Sequence, residues 1–234
     1  MSLRRLIIPG LVLAMVLPSA AFAHHGKDFL LVESFELPEP GETYLVLAPS
    51  YLKRDSGSEI ALEPSILVGM KERLAIEAHV HASREQGENF RYEAVAPAVH
   101  WEISDPWSFT AWKGGVSAEA EIAKDGPDRY EVRFVESRHF DRSMFVANLI
   151  AAHGGGDPHA VVPGYAAGWR LRIDRSLAFG IEATGMRGER ATDEALAAVY
   201  SEPIEGVTVK LGVGHIFGDD PSSLVIRSGV VLHF

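Results

Sequence analysis

The chain contains no cysteine. Disulfides, thiolate metal centres and cysteine nucleophiles are therefore excluded, and an exported chain without them must be held by burial or by closure of its sheet. Long apolar runs are missing too. Beyond residue 23 nothing approaches the 18 or so uninterrupted apolar residues that mark a membrane-spanning helix. Positive charge is also short: 22 Lys and Arg stand against 32 Asp and Glu, a formal charge of −10 at pH 7. That balance argues against nucleic acid as a partner. Yet hydrophobic residues make up 47% of the chain. They are spread by alternation rather than gathered, the pattern of β-strands with one apolar face.

Turn-forming clusters recur along the chain. Asp55-Ser56-Gly57, Gln86-Gly87-Glu88-Asn89, Asp125-Gly126-Pro127-Asp128, Gly154-Gly155-Gly156-Asp157-Pro158 and Gly218-Asp219-Asp220-Pro221 all combine residues that tolerate or enforce turn dihedrals. Between them the sequence predicts twelve strands, at about 43–53, 58–69, 74–85, 90–104, 107–123, 129–139, 143–153, 160–174, 177–188, 194–203, 207–217 and 222–234. No strand reads as apolar on both faces. Leu74, Ile76, Ala78, Val80 and Ala82 share one face; Tyr165, Trp169, Leu171 and Ile173 oppose Arg170, Arg172 and Asp174. The phase slips at Lys113-Gly114-Gly115, where a bulge is expected. Trp101, Trp107 and Phe109 bracket a turn, as interfacial aromatics do.

The last strand places Leu224, Ile226, Val230, Leu232 and Phe234 on one face, with Val225, Arg227, Gly229, Val231 and His233 on the other. An alternating strand ending in Phe resembles the closing strand of bacterial outer-membrane β-barrels. The resemblance implies an all-β fold, a single antiparallel transmembrane β-barrel of about 12 strands, an even count that brings both barrel ends to one side. It also implies outer-membrane lipids as surroundings and the barrel-assembly machinery as a partner that reads the Phe234 strand. A soluble two-layer β protein is the alternative. The closing hairpin, with Leu211-Gly212-Val213-Gly214, Gly218-Asp219-Asp220-Pro221 and Arg227-Ser228-Gly229, is similar over about 25 residues to the transporter-type barrels of the MetA-pathway-of-phenol-degradation family. That implies a channel for small, often aromatic compounds and carries over no functional residue.

Ahead of the barrel, Arg4 and Arg5 precede an apolar run over 6–17, and Ala21-Phe22-Ala23 supplies a small-x-small cleavage pattern. Residues 1–23 read as a signal peptide, with export across a Gram-negative envelope. Residues 24–42 form a separate piece, in which apolar Phe29-Leu30-Leu31-Val32 is closed off by Pro38 and Pro40. It reads as a periplasmic lead or a partial plug, and residues 43–234 as the barrel.

With apolar faces turned to lipid, Glu59, Glu63, Glu77, His79, His81, His100, Glu102, Glu119 and Glu121 point inward, as do Arg133, Arg170, Arg172 and Arg227. Carboxylates and imidazoles on one wall facing guanidiniums on the other would set the selectivity of a small-solute channel. The same charges would pair across a blocked interior. His79 and His81, two apart on one strand, have ligand chemistry for copper or zinc with Glu63 and His100. His24 and His25, at a newly cleaved terminus, form a second candidate for the same metals. His81-Ala82-Ser83, with Glu63 or Glu85, resembles the His-x-Ser pair of lipid A deacylases, though on the polar face, away from acyl chains. His153-Gly154-Gly155-Gly156 lacks the G-x-S-x-G elbow that a hydrolase loop would need. The reading is a channel, not an enzyme.

Overall fold

Twelve antiparallel strands close on themselves in the computed structural model. They are β1 (Thr43–Arg54), β2 (Gly57–Lys71), β3 (Leu74–Glu85), β4 (Arg91–Glu102), β5 (Trp112–Ala123), β6 (Arg129–Phe140), β7 (Ser143–Gly154), β8 (Asp157–Arg172), β9 (Leu177–Met186), β10 (Thr192–Ile204), β11 (Val207–Gly218) and β12 (Leu224–His233). Each pairs with its sequence neighbours, and β1 pairs with β12 to close the ring. The seam runs from Tyr44 opposite His233 to Lys53 opposite Leu224. The Thr43 and Phe234 backbones bond reciprocally at 3.1 and 3.0 Å, so the terminal aromatic fastens the closing strand.

The structure describes residues 28–104, 112–154, 157–187, 192–218, 221 and 224–234, with backbone alone at 157–160. The signal peptide reading, His24, His25, Trp107 and Phe109 lie outside the described residues.

Among the described residues each strand lies where the alternation placed it, and one local reading of β5 changes. No bulge occurs at Lys113-Gly114-Gly115, because β5 keeps unbroken register with β6 from Trp112 opposite Arg138 to Glu121 opposite Arg129. The phase slips there for another reason: Gly115 faces inward, where Phe35 leaves no room for a side chain.

Alternation puts the large apolar side chains outside. Leu47, Ile66, Ile76, Val99, Phe134, Leu149, Ile181 and Val213 are all exposed, while Glu63, Glu77, His79, His100, Arg133, Glu182 and Arg227 are buried within. A soluble two-layer protein would reverse this, since its aliphatic faces would meet each other. Only a lipid surround makes such an exterior favourable, and a closed barrel is the sheet form that satisfies every backbone group there. Trp101, Trp112, Phe140 and Phe234 gather near the end where β1 begins and β12 finishes, with Arg138 stacked 4.6 Å from the Trp112 ring centre and 4.5 Å from that of Phe140. Leu149 lies midway along β7 and is 68% exposed. Leu149→Arg is expected to cost about 2–4 kcal/mol of barrel stability, read by urea titration in lipid vesicles. No change would turn that face away from lipid.

Candidate functional site

Residues 28–37 enter the barrel instead of joining its wall. Pro38 and Pro40 cannot donate to a ladder, and the chain turns at Glu39 to Glu42, where the Gly41 amide bonds the Gly69 carbonyl and the Gly69 amide bonds that of Glu42. A side chain at Gly69 would collide with the Glu39 and Pro38 carbonyls, so β2 carries a glycine two residues before its end. From there the segment passes inward. Phe29, Leu30, Leu31, Val32 and Phe35 are each at most 2% exposed.

These side chains are received by a patch of the inner wall that is itself apolar: Val135, Met144, Val146, Ile150, Leu196 and Tyr200. β7 is consequently apolar on both faces, contrary to the expectation for every strand. Its outer face meets lipid and its inner face meets the segment. Glycines supply the remaining space. A Cβ at Gly168 would lie 2.7 Å from the Phe29 ring, one at Gly212 would lie 2.8 Å from Leu30, and one at Gly115 would lie 2.5 Å from Phe35. The wall is recessed where the segment is largest.

Polar contacts then fix the segment strand by strand. The Glu182 carboxylate on β9 accepts the backbone N–H groups of Leu30 (2.9 Å), Leu31 (2.6 Å) and Val32 (3.2 Å), and also the Tyr200 hydroxyl (2.6 Å). Asn148 on β7 holds both backbone groups of Glu33, accepting its N–H at 3.0 Å and donating to its carbonyl at 2.9 Å. Lys210 donates to the Phe29 carbonyl at 2.5 Å. Arg170 meets Asp28 at 2.6 Å, and Ser34 donates to the same carboxylate. Glu33 is met by His100 at 2.9 Å, Ser117 at 2.8 Å and Arg133 at 3.5 Å. Burial alone would raise the Glu33 carboxyl pKa; His100, Arg133 and Ser117 outweigh it and hold the group below its ordinary value. Asp28 is likewise lowered, with burial opposed by Arg170, Ser34 and Lys210.

The residues expected inside do face inward, but their pairing differs from two segregated walls. Glu63 approaches His81 at 3.7 Å, as the β2–β3 register implies. His79 lies 3.8 Å from Glu77 and 3.4 Å from Glu119, with its ring centre 4.9 Å from that of His81. Each buried guanidinium, however, has a carboxylate on its own side: Arg133 with Glu131 and Arg227 with Glu194, both at 2.6 Å, while Arg170 takes Asp28 of the segment. Glu121 pairs with Arg129 at 3.9 Å, Glu59 with Arg54 at 2.7 Å, and Glu102 accepts from Ser104. Arg172 is exposed at the mouth, lining a cavity of about 380 Å³ with Asp28, Glu36, His139 and Asp174.

Glu131, Asn148, Glu182, Glu194 and Lys210 were not singled out by sequence reasoning, although each shares the phase of an inward neighbour. The Ser83 hydroxyl donates to Glu93 rather than forming a nucleophile pair with His81. Among the described residues, no group of three or more His, Asp or Glu side chains is arranged to hold a metal ion.

No protein-family model and no curated protein matches the chain. Solved structures do. The COG4313 outer membrane channel from Pseudomonas putida F1 superposes with a TM-score of 0.67 at 10% identity, over 87% of this chain and 100% of that one. The NanC porin gives 0.61 at 11% identity, over 81% and 98%. The CymD monoaromatic hydrocarbon channel gives 0.52 at 8% identity, over 84% and 88%. The fold is that of bacterial outer-membrane β-barrels.

Proposed function

We propose that this protein is an outer-membrane channel for small solutes, held shut by residues 28–37. One observation carries the reading: the space a solute would cross is filled by a segment that makes no ladder pairing with the wall. A barrel built to be solid would close its interior with its own strands. Here Gly115, Gly168 and Gly212 hollow the wall, and Glu182, Asn148 and Lys210 grip backbone atoms of the segment. The channels and porins that share the fold support the same reading. Residues 1–23 fit a cleaved export signal, and the segment then enters from the periplasmic mouth.

Single-channel recording in a planar bilayer tests this. The protein beginning at His24 is expected to be closed for most of the record. Deleting residues 28–37 is expected to give discrete, long-lived conductance steps. A deletion variant that folds, judged by its heat-modifiable gel mobility, and stays silent would remove the channel reading.

A further inference from the structure

We propose that His100, Ser117 and Arg133 form a binding site for a small carboxylate solute, which Glu33 occupies as the chain's own stand-in while the channel is shut. This deepens the channel reading and rests on it. The three groups come from three successive strands, β4, β5 and β6, and converge on one carboxylate, His100 and Ser117 by hydrogen bonds and Arg133 as a neighbouring cation whose Nε–H is given to Glu131. His100 takes Oε1 at 2.9 Å, Ser117 donates to Oε2 at 2.8 Å, and Arg133 Nε lies 3.5 Å from Oε2. All three are nearly fully buried, at 7%, 6% and 3% exposure.

The donors are held in place from behind by wall residues, independently of Glu33. The other ring nitrogen of His100 lies 3.0 Å from Glu77. Both nitrogens therefore face carboxylates, and both can donate only from the imidazolium. Arg133 is anchored by Glu131 through Nη2 at 2.6 Å and Nε at 3.1 Å, and its Nη1 donates to Asn148 at 3.3 Å. When the segment withdraws, Glu33 leaves with it. His100 Nδ1 and the Ser117 hydroxyl then lose the carboxylate they meet, beside a guanidinium that stays fixed on the wall.

The geometry selects the class of anion that fills it. Two oxygens are taken from different sides, the shape of a carboxylate rather than of a spherical halide. A dianion such as phosphate would set its second charge against Glu77 and Glu131, which already flank the donors. A singly charged organic acid replaces Glu33 atom for atom.

Acetate is the probe, and two variants vacate the site: Glu33→Ala, and deletion of residues 28–37. Calorimetric titration of each folded variant in detergent is expected to show saturable uptake of one acetate per chain. The unaltered protein should show none, because Glu33 competes intramolecularly. Formate should compete and methylammonium should not. Adding Ser117→Ala should weaken acetate binding by roughly tenfold, the effect of one hydrogen bond to a charged group. If neither variant takes up acetate, or if the unaltered protein binds it equally well, the site is overturned. Variants that conduct but bind no acetate would leave the channel intact and end this proposal alone; variants that bind acetate but never conduct would do the reverse.

Discussion

Replacing Glu182 with leucine is expected to raise the fraction of time the barrel stands open by about two orders of magnitude. In the shut barrel this carboxylate accepts the N–H groups of Leu30, Leu31 and Val32. Leucine accepts nothing, so three donors would be buried without partners. Each such loss costs roughly 1–3 kcal/mol where water cannot follow. Against this, leucine removes a buried charge whose own desolvation is costly, so the lower part of the range applies. A net loss of about 3 kcal/mol corresponds to roughly a hundredfold change in the open–shut equilibrium. Glu182→Gln keeps one carbonyl acceptor and should fall between the two. Open probability in single-channel records is the measurement. A Glu182→Leu barrel as closed as the parent would mean that packing alone, through Phe29, Val32 and Phe35, holds the segment.

The barrel itself was legible in the sequence because strand alternation is a local property. Leu74 to Ala82 and Leu224 to Phe234 each declare two faces without reference to any other part of the chain, and lipid outside fixes which face is which. The inward identity of Glu63, His79, His81, His100, Arg133 and Arg227 followed directly. Pairing within the lumen did not. Arg227 on β12 meets Glu194 on β10, a pairing set by strand stagger and side-chain reach, while Arg133 takes Glu131 two residues away on its own strand, a local pair that alternation alone does not choose over carboxylates on neighbouring strands. The plug was least legible of all. Phe29-Leu30-Leu31-Val32 looks apolar from sequence, but its receptor is scattered over seven strands, β5 to β11, as single glycines and isolated apolar side chains. A missing side chain at Gly115 reads as a bulge until Phe35 is seen against it.

Reversing Arg170 is the second large effect, and it separates gating from selectivity. Its guanidinium meets Asp28 at 2.6 Å, lies 3.3 Å from the Asp28 carbonyl, and stacks 5.7 Å from the Phe29 ring centre and 5.8 Å from that of Tyr200. Breaking a fully buried ion pair costs about 3–5 kcal/mol. Arg170 keeps 22% of its side chain in water, so about 2 kcal/mol is the better expectation. Arg170→Glu therefore should open the barrel some thirtyfold more often. Once open, a carboxylate replaces a cation at the mouth beside Arg172, and the reversal potential under a salt gradient should move toward cations. Adding Asp28→Arg restores the pair with its charges exchanged. Closure should return only in part, because Lys210 lies near this position and the Ser34 bond to Asp28 is lost. Selectivity in the remaining openings should stay cationic, since position 170 belongs to the wall and position 28 leaves with the segment. If the double variant closes no better than Arg170→Glu, the contact does not hold the plug. If selectivity follows residue 28 instead of residue 170, the segment remains inside the conducting pore.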